Sequence, residues 1–351
     1  MKLAVFSAKA YDRRYLERAR AQWPALAVEA SYHELPLGES TAGLARGADA
    51  VCVFVNDAVG GGVLAALARG GVRAVLLRCA GANNVDLAAA EREGIMVANV
   101  PAYAPEAVAE FAVALLQTLN RKTHRAWARV REANFALDGL LGRTLRGKTV
   151  GIVGTGRIGL AAAAILGPGF GCRLLAYDPC PDRDALAALG GRYAPSLDAL
   201  LPECDVVSLH CPLTDATRHL VNRDSLALMR PGVLLVNTSR GGLVDTRAAI
   251  DALKSRHLGG LALDVYEAEG PLFYDDHSAD IIQDDALMRL LTFPNVLVCG
   301  HQAFFTDEAL AEIADATLRN LSDFAATGSC PNSLTRDPAL HRADSMPVRN
   351  V

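Results

Sequence analysis

Short apolar runs with no polar alternation recur along this chain, at residues 3–6, 50–55 and 74–77, and again at 149–153, 173–177, 206–209, 233–236, 261–263 and 296–299. Strands read this way when both faces are buried, as in parallel sheets. Ala/Leu/Arg stretches of helical character lie between them, for example at 15–20 and 63–68. The alternation predicts an α/β fold of doubly wound parallel sheets covered by helices. One long helix over 105–119 separates the two series. Pro105 suits its first turn, where a missing N–H costs nothing. Glu106 and Glu110 follow where the helix dipole favours acids, and Asn120-Arg121-Lys122 closes the other end.

Three stretches break the pattern. Residues 123–146 are basic, carry Trp127 and Phe135 and show no strand signal; they read as an extended arm packing on another subunit. Leu166-Gly167-Pro168-Gly169-Phe170 sets a proline in a helical run, which costs ~3 kcal/mol in a helix interior, so the helix is expected to end by Gly167. From Pro331 onward the chain is polar, with Pro338 and Pro347, and is expected to fray.

At 351 residues and roughly 150 per domain, about two domains are expected. The 51% hydrophobic content excludes a disordered chain. A net charge of −4, from 35 basic and 39 acidic residues, argues against a nucleic-acid partner, which needs a basic face. No apolar run reaches the roughly 18 residues of a membrane helix, so no membrane partner is expected. The first residues carry no secretory pattern. The eight cysteines are scattered with no Cys-x-x-Cys pair, which suggests neither zinc nor a disulfide framework. Reduced, buried cysteines in a cytoplasmic protein are the expectation.

Gly154-Thr155-Gly156-Arg157-Ile158-Gly159 is the clearest motif, because a strand feeds it and a helix follows. Gly154 permits the tight turn, Gly156 lets backbone approach a pyrophosphate, and Gly159 lets helix and strand pack closely. The phosphates would sit on free N–H groups at the helix start. Asp178 ends the next strand, 19 residues past Gly159. A carboxylate there binds ribose hydroxyls and repels a 2′-phosphate, and Pro179-Cys180-Pro181 brings no arginine, so NAD is expected over NADP. A motif this far along the chain leaves the first hundred or so residues as a separate module.

Three later segments leave strands with reactive residues. Arg240, in Asn237-Thr238-Ser239-Arg240-Gly241-Gly242, offers a planar fork matched to a carboxylate. Asp264, Glu267 and Glu269 follow another strand; spacing alone does not say which one acts. His301, in Cys299-Gly300-His301-Gln302-Ala303-Phe304-Phe305, follows the last strand and precedes a helix near Thr306.

In this order after the glycine motif, the three segments resemble the D-isomer-specific 2-hydroxyacid dehydrogenase family, and the resemblance spans nearly the whole chain. It includes Asn99-Val100-Pro101-Ala102-Tyr103, His210-Cys211-Pro212-Leu213-Thr214 and Thr217-Arg218-His219-Leu220. Phe54-Val55-Asn56-Asp57, Gly81-Ala82-Asn83-Asn84-Val85-Asp86 and Gly300-His301-Gln302-Ala303-Phe304 are most similar to bacterial NAD-dependent D-lactate dehydrogenases. The resemblance implies a Rossmann NAD-binding domain, residues 103–301, inserted into a discontinuous flavodoxin-like substrate domain, 1–102 plus 302–351. It implies an active site in the cleft between them, and hinges near Tyr103 and His301. Residues 123–146 become a dimerisation arm of a homodimer or homotetramer.

The resemblance also implies roles. Arg240 binds the substrate carboxylate, His301 is the acid–base residue and Glu269 its partner, leaving Glu267 a surface acid. Ala80, Gly81, Tyr103 and Phe304 line the substrate. The cofactor takes the glycine turn and Asp178, with His210, Cys211, Pro212, Thr217, Thr238, Ser239 and Asp264 along it. The implied reaction is reduction of pyruvate to D-lactate: hydride reaches C2, and His301 as imidazolium, stabilised by Glu269, protonates the carbonyl oxygen. No metal is needed; Asp275-Asp276-His277 with Asp280, Asp284 and Asp285 read as helix capping and solvation. His33, His257 and His341 are expected to be exposed. Ala82 stands where lactate-type relatives often carry an aromatic, which is expected to widen the site or loosen a loop. Two rival readings stay open: a bulkier keto acid such as 2-ketoisocaproate or phenylpyruvate, and an NADH-sensing, corepressor-like binding protein.

Overall fold

In the computed structural model the apolar runs become strands of two separate, wholly parallel sheets. Residues 1–336 are described. The first sheet contains β1 (Lys2–Val5), β2 (Glu29–Tyr32), β3 (Ala50–Val53), β4 (Ala74–Leu77) and β5 (Met96–Ala98), in the order β2-β1-β3-β4-β5. The second contains β6 (Thr149–Val153), β7 (Arg173–Tyr177), β8 (Arg192–Tyr193), β9 (Val206–Leu209), β10 (Val233–Asn237), β11 (Leu258–Leu263) and β12 (Val296–Val298), in the order β12-β11-β10-β9-β6-β7-β8. Both orders reverse direction at their first strand, the switch point of doubly wound folds. The chain divides into Met1–Ala104 with the chain from Thr306, and Pro105–Phe305, a few residues from the boundaries expected at 102 and 302.

Strands β3, β4, β6, β9 and β10 are buried at every position, as uninterrupted apolar runs require. Helix Pro105–Arg121 lays Ala112, Val113, Leu115, Leu116 and Leu119 into one core with Val150 and Ile152 of β6 and Val236 of β10. In the first unit, helix Asp307–Thr327 is capped by the Thr306 hydroxyl, which accepts from the Ala309 amide, and buries Leu310, Ile313, Leu318, Leu321 and Phe324.

Several expectations need correcting. The α-helix after the glycine turn, Arg157–Ala164, does stop before Gly167, but the chain stays helical as a π turn over Ile165–Gly169 that contains Pro168. The wider ring needs no N–H from Pro168: the Phe170 amide reaches Ile165 O at 3.1 Å and the Cys172 amide reaches Leu166 O at 3.0 Å. The arm is not fully extended, for it begins with helix Thr123–Arg131, which has no buried residue.

Residues 331–336 do not fray. Ser333 bridges Ala98 antiparallel, the Leu334 amide donates to Val97 O at 2.7 Å, and Asn332 Nδ2 donates to Asn320 Oδ1 at 2.8 Å. His33 and His257 are half-buried rather than exposed. His33 stacks on Phe6 at 5.0 Å, and His257 Nε2 meets Leu226 O at 2.8 Å. The expectations for Pro338, His341 and Pro347 lie outside the described residues.

Candidate active site

The carboxyl ends of β10, β11 and β12, neighbours in the second sheet, deliver Arg240, Glu269 and His301 respectively. Ligands of open α/β sheets bind at such ends. His301 has a left-handed backbone, φ +54°, held from two sides. Its amide donates to Asp264 O at 2.7 Å, and the Asp264 carboxylate accepts the next two amides, Gln302 at 2.8 Å and Ala303 at 2.9 Å. Asp264 is fully buried, and burial pushes its carboxyl above the usual range against the pull of those amides. Both of its side-chain oxygens thus hold the histidine loop in place.

Glu269 Oε1 lies 2.9 Å from His301 Nδ1, and Glu269 Oε2 accepts the Tyr266 amide at 2.8 Å. The two side chains are 23% and 16% exposed, so the pair is shielded yet reachable. The Tyr274 ring lies tilted, 5.8 Å from the imidazole. Phe304, expected at the substrate, is buried and meets Phe305 edge-on at 6.0 Å; Phe305 is the exposed ring of the two.

Arg240 precedes the turn Gly241–Leu243, and its Nη1 donates to Ser239 O at 2.7 Å. Asn237, buried at the end of β10, braces the turn: its Nδ2 donates to Arg240 O at 2.9 Å and its Oδ1 accepts the Ser239 amide at 3.0 Å. Sequence reasoning missed Asn237, Tyr266 and Tyr274; Asn237 and Tyr266 lie at or just past strand ends, which was the available signal, while Tyr274 meets His301 only through the fold. Glu267 does lie at the surface, but it is paired, with His219 and Thr246.

The glycine turn follows β6. Gly154 has φ +92°, and a Cβ there would lie 2.7 Å from the His210 and Cys211 backbone. Gly156 is exposed with nothing within 4 Å of a would-be Cβ, leaving room at the start of helix Arg157–Ala164 for a phosphate. Arg157 is exposed, Ile158 half-buried and Gly159 packed on Gly154 O. Asp178 Oδ2 accepts the Thr155 amide at 2.6 Å and Thr155 Oγ1 at 3.1 Å, which fixes the acid beside the turn. Ser239 Oγ donates to Cys211 O at 2.6 Å and Thr217 Oγ1 to Pro212 O at 2.7 Å, so both hydroxyls build the loop after β9.

Two buried polar atoms here have no protein partner, Thr238 Oγ1 and His210 Nδ1. Together with the open glycine turn and Asp178, they fit a dinucleotide. Ala80 and Gly81 follow β4 in the other unit, where Asn99 Nδ2 donates to Ala80 O at 2.6 Å; Tyr103 lies near that unit's end. Among the described residues no cluster of three metal-ligating side chains occurs; Asp284 instead caps helix Asp285–Leu291 and accepts Tyr266 Oη.

Comparisons with known proteins identify the family of this chain. The family model described as "D-isomer specific 2-hydroxyacid dehydrogenase, NAD binding domain" matches residues 113–303. The chain is 62% identical over 351 residues to 2-hydroxyacid dehydrogenase A of Aspergillus oryzae, covering 99% of this chain and 100% of that one. It is 51% identical over 334 residues to D-lactate dehydrogenase of Escherichia coli, covering 95% and 100%. The apo-structure of D-lactate dehydrogenase from Escherichia coli superposes with a TM-score of 0.86 at 49% identity, again over 95% and 100%. Since the matched region runs from before the glycine turn to beyond the His301 loop, the chain belongs to the D-isomer specific 2-hydroxyacid dehydrogenases, enzymes that use NAD.

Proposed function

We propose that the protein interconverts pyruvate and D-lactate: pyruvate, NADH and a proton give D-lactate and NAD⁺. The observation that carries this reading is the Glu269–His301 pair, held at 2.9 Å on the sheet edge that also bears Arg240. Bound NADH supplies the hydride to C2 of the keto acid. Arg240 grips the substrate carboxylate with its fork. As charge grows on the carbonyl oxygen, His301 donates a proton from Nε2, while Glu269 holds Nδ1 and balances the imidazolium. In the oxidising direction the same nitrogen takes the hydroxyl proton. A relative named D-lactate dehydrogenase supports this substrate choice. The test is NADH oxidation with pyruvate, 2-ketobutyrate, 2-ketoisocaproate, phenylpyruvate, glyoxylate and hydroxypyruvate, with a stereospecific assay of the product. Pyruvate as best substrate and D-lactate as product are expected. Preference for a bulky acid moves the substrate, with Ala82 the first position to vary. NADH binding without turnover favours the sensor.

The same reading includes a homo-oligomer joined through residues 123–146. Trp127, Val130, Phe135, Leu137 and Leu141 are all at least half exposed there, the kind of apolar patch that marks an interface. A monomeric mass by light scattering overturns this. A cytoplasmic location fits eight free cysteines, four of them buried.

A further inference from the structure

The geometry points to a second histidine–glutamate pair, His219 with Glu267, as positioning residues for Arg240. This rests on the reading of Arg240 as the carboxylate-binding residue. His219 Nε2 lies 2.5 Å from Glu267 Oε1, and Glu267 Oε2 accepts Thr246 Oγ1 at 3.1 Å. The His219 amide donates to Gly242 O at 2.8 Å, inside the turn that follows Arg240. Asn222 Nδ2 donates to His219 O at 3.0 Å, which holds His219 in a left-handed backbone, φ +51°.

Gly241 closes the arrangement. A Cβ there would fall 2.1 Å from Tyr266 C and O and 2.5 Å from the Glu267 nitrogen, so the Arg240 turn lies directly against the backbone of residues 266–267. Two residues further on is Glu269, the partner of His301. His219 therefore grips the Arg240 turn through its amide and the Glu269 segment through its ring. The pair links the group that binds the substrate to the group that holds the acid. A reactive constellation must be kept within about 0.5 Å of its working geometry by residues behind it, and His219 and Glu267 occupy that place.

The experiment compares His219→Ala, His219→Asn, Glu267→Ala and Glu267→Gln by pyruvate kinetics and by NADH binding from fluorescence quenching. Asn tolerates the left-handed backbone, so it separates loss of the ring contact from backbone strain. His219→Ala, His219→Asn and Glu267→Ala are expected to raise KM for pyruvate ~10–100-fold, with kcat reduced less and NADH affinity kept, since misplacement of this kind costs up to about that factor. Glu267→Gln retains an acceptor and is expected to stay near wild type. In an Arg240→Lys background, His219→Ala is expected to add less than about twofold, because both act through one contact.

An unchanged KM in His219→Asn, or a full additive effect on top of Arg240→Lys, overturns the assignment. If the unmodified enzyme turns over no keto acid, the proposed function fails first, and this inference falls with it. If it turns over pyruvate and the variants match it, the positioning role alone is wrong.

Discussion

Glu269 Oε1 sits 2.9 Å from His301 Nδ1, while the other oxygen of the same carboxylate is anchored to the Tyr266 amide. The relationship fixes more than a distance. A carboxylate on Nδ1 sets the tautomer and orientation of the ring and leaves Nε2 for the reacting oxygen. The backbone does the same from behind, since His301 and the two residues after it all donate their amides to Asp264. Side chain and main chain thus point one nitrogen in one direction.

Removing that nitrogen should remove the proton transfer. General acid catalysis is worth ~10²–10⁴-fold, and His301→Ala is expected to lose about that much in kcat while still binding NADH. Steady-state kinetics beside a fluorescence titration checks both halves. Unchanged turnover would take the role away from His301.

Gly241→Ala probes the contact between the Arg240 turn and residues 266–267. A methyl group placed 2.1 Å from backbone atoms forces one segment to move. Overpacking of this kind costs ~1–3 kcal/mol, and the displaced turn should also weaken pyruvate binding. Urea unfolding and KM measured together test it; a variant normal in both shows that the turn has slack.

Burial pushes the His210 imidazole down to about 4. Its unfolded value is near 6.5, so between these values the unfolded chain binds the proton and the folded chain does not. This contribution is therefore intact above pH 6.5 and is lost as pH falls toward 4, by about 2 kcal/mol at pH 5. His210→Gln, which cannot titrate, should lose less stability than the unmodified protein between pH 7 and pH 5. Equal losses in paired urea melts would show that His210 is protonated normally in the fold.

The thiols should divide sharply. Burial raises Cys52, Cys211 and Cys299 to about 11 and Cys204 to about 12. Only the thiolate reacts, and at pH 8 a thiol of that kind is ~0.1% ionised. Cys180 is exposed, with its amide on Asp178 Oδ1 at 2.8 Å. Mass spectrometry after a short pulse of iodoacetamide should find the label on Cys180, and NADH should protect it. Fast labelling of Cys211 in the native protein would contradict the burial.

What the chain reveals before folding follows from where each element lies. The inner strands β3, β4, β6, β9 and β10 are legible because burial on both faces leaves no choice but an apolar run. The strands that escaped notice, β2, β5 and β8, are all at sheet edges. β2 alternates exposed and half-buried positions, and β8 has two residues, so neither carries a signature. The glycine turn is legible because its spacing is a steric requirement. Arg240 and His301 stood out as polar residues just past apolar runs, the first beside two glycines and the second beside aromatic neighbours. The clamp between His219 and Glu267 was not legible, since the two are 48 positions apart and meet only through the fold. Pro168 misled in part because a π turn removes the need for its N–H.

One short segment protects the molecule from its own kind. β5 is the outermost strand of its sheet, and its free side is taken by Ser333, Leu334 and Thr335, whose groups bond to Val97 and Ala98. An uncovered strand edge is a template for pairing with another chain. A chain cut after Gly328 would expose that row of amides and carbonyls on Met96–Ala98. Its expected fate is self-association into insoluble material at high concentration, rather than simple loss of activity. Residues 331–336 thus occupy the one side of β5 on which another strand could pair.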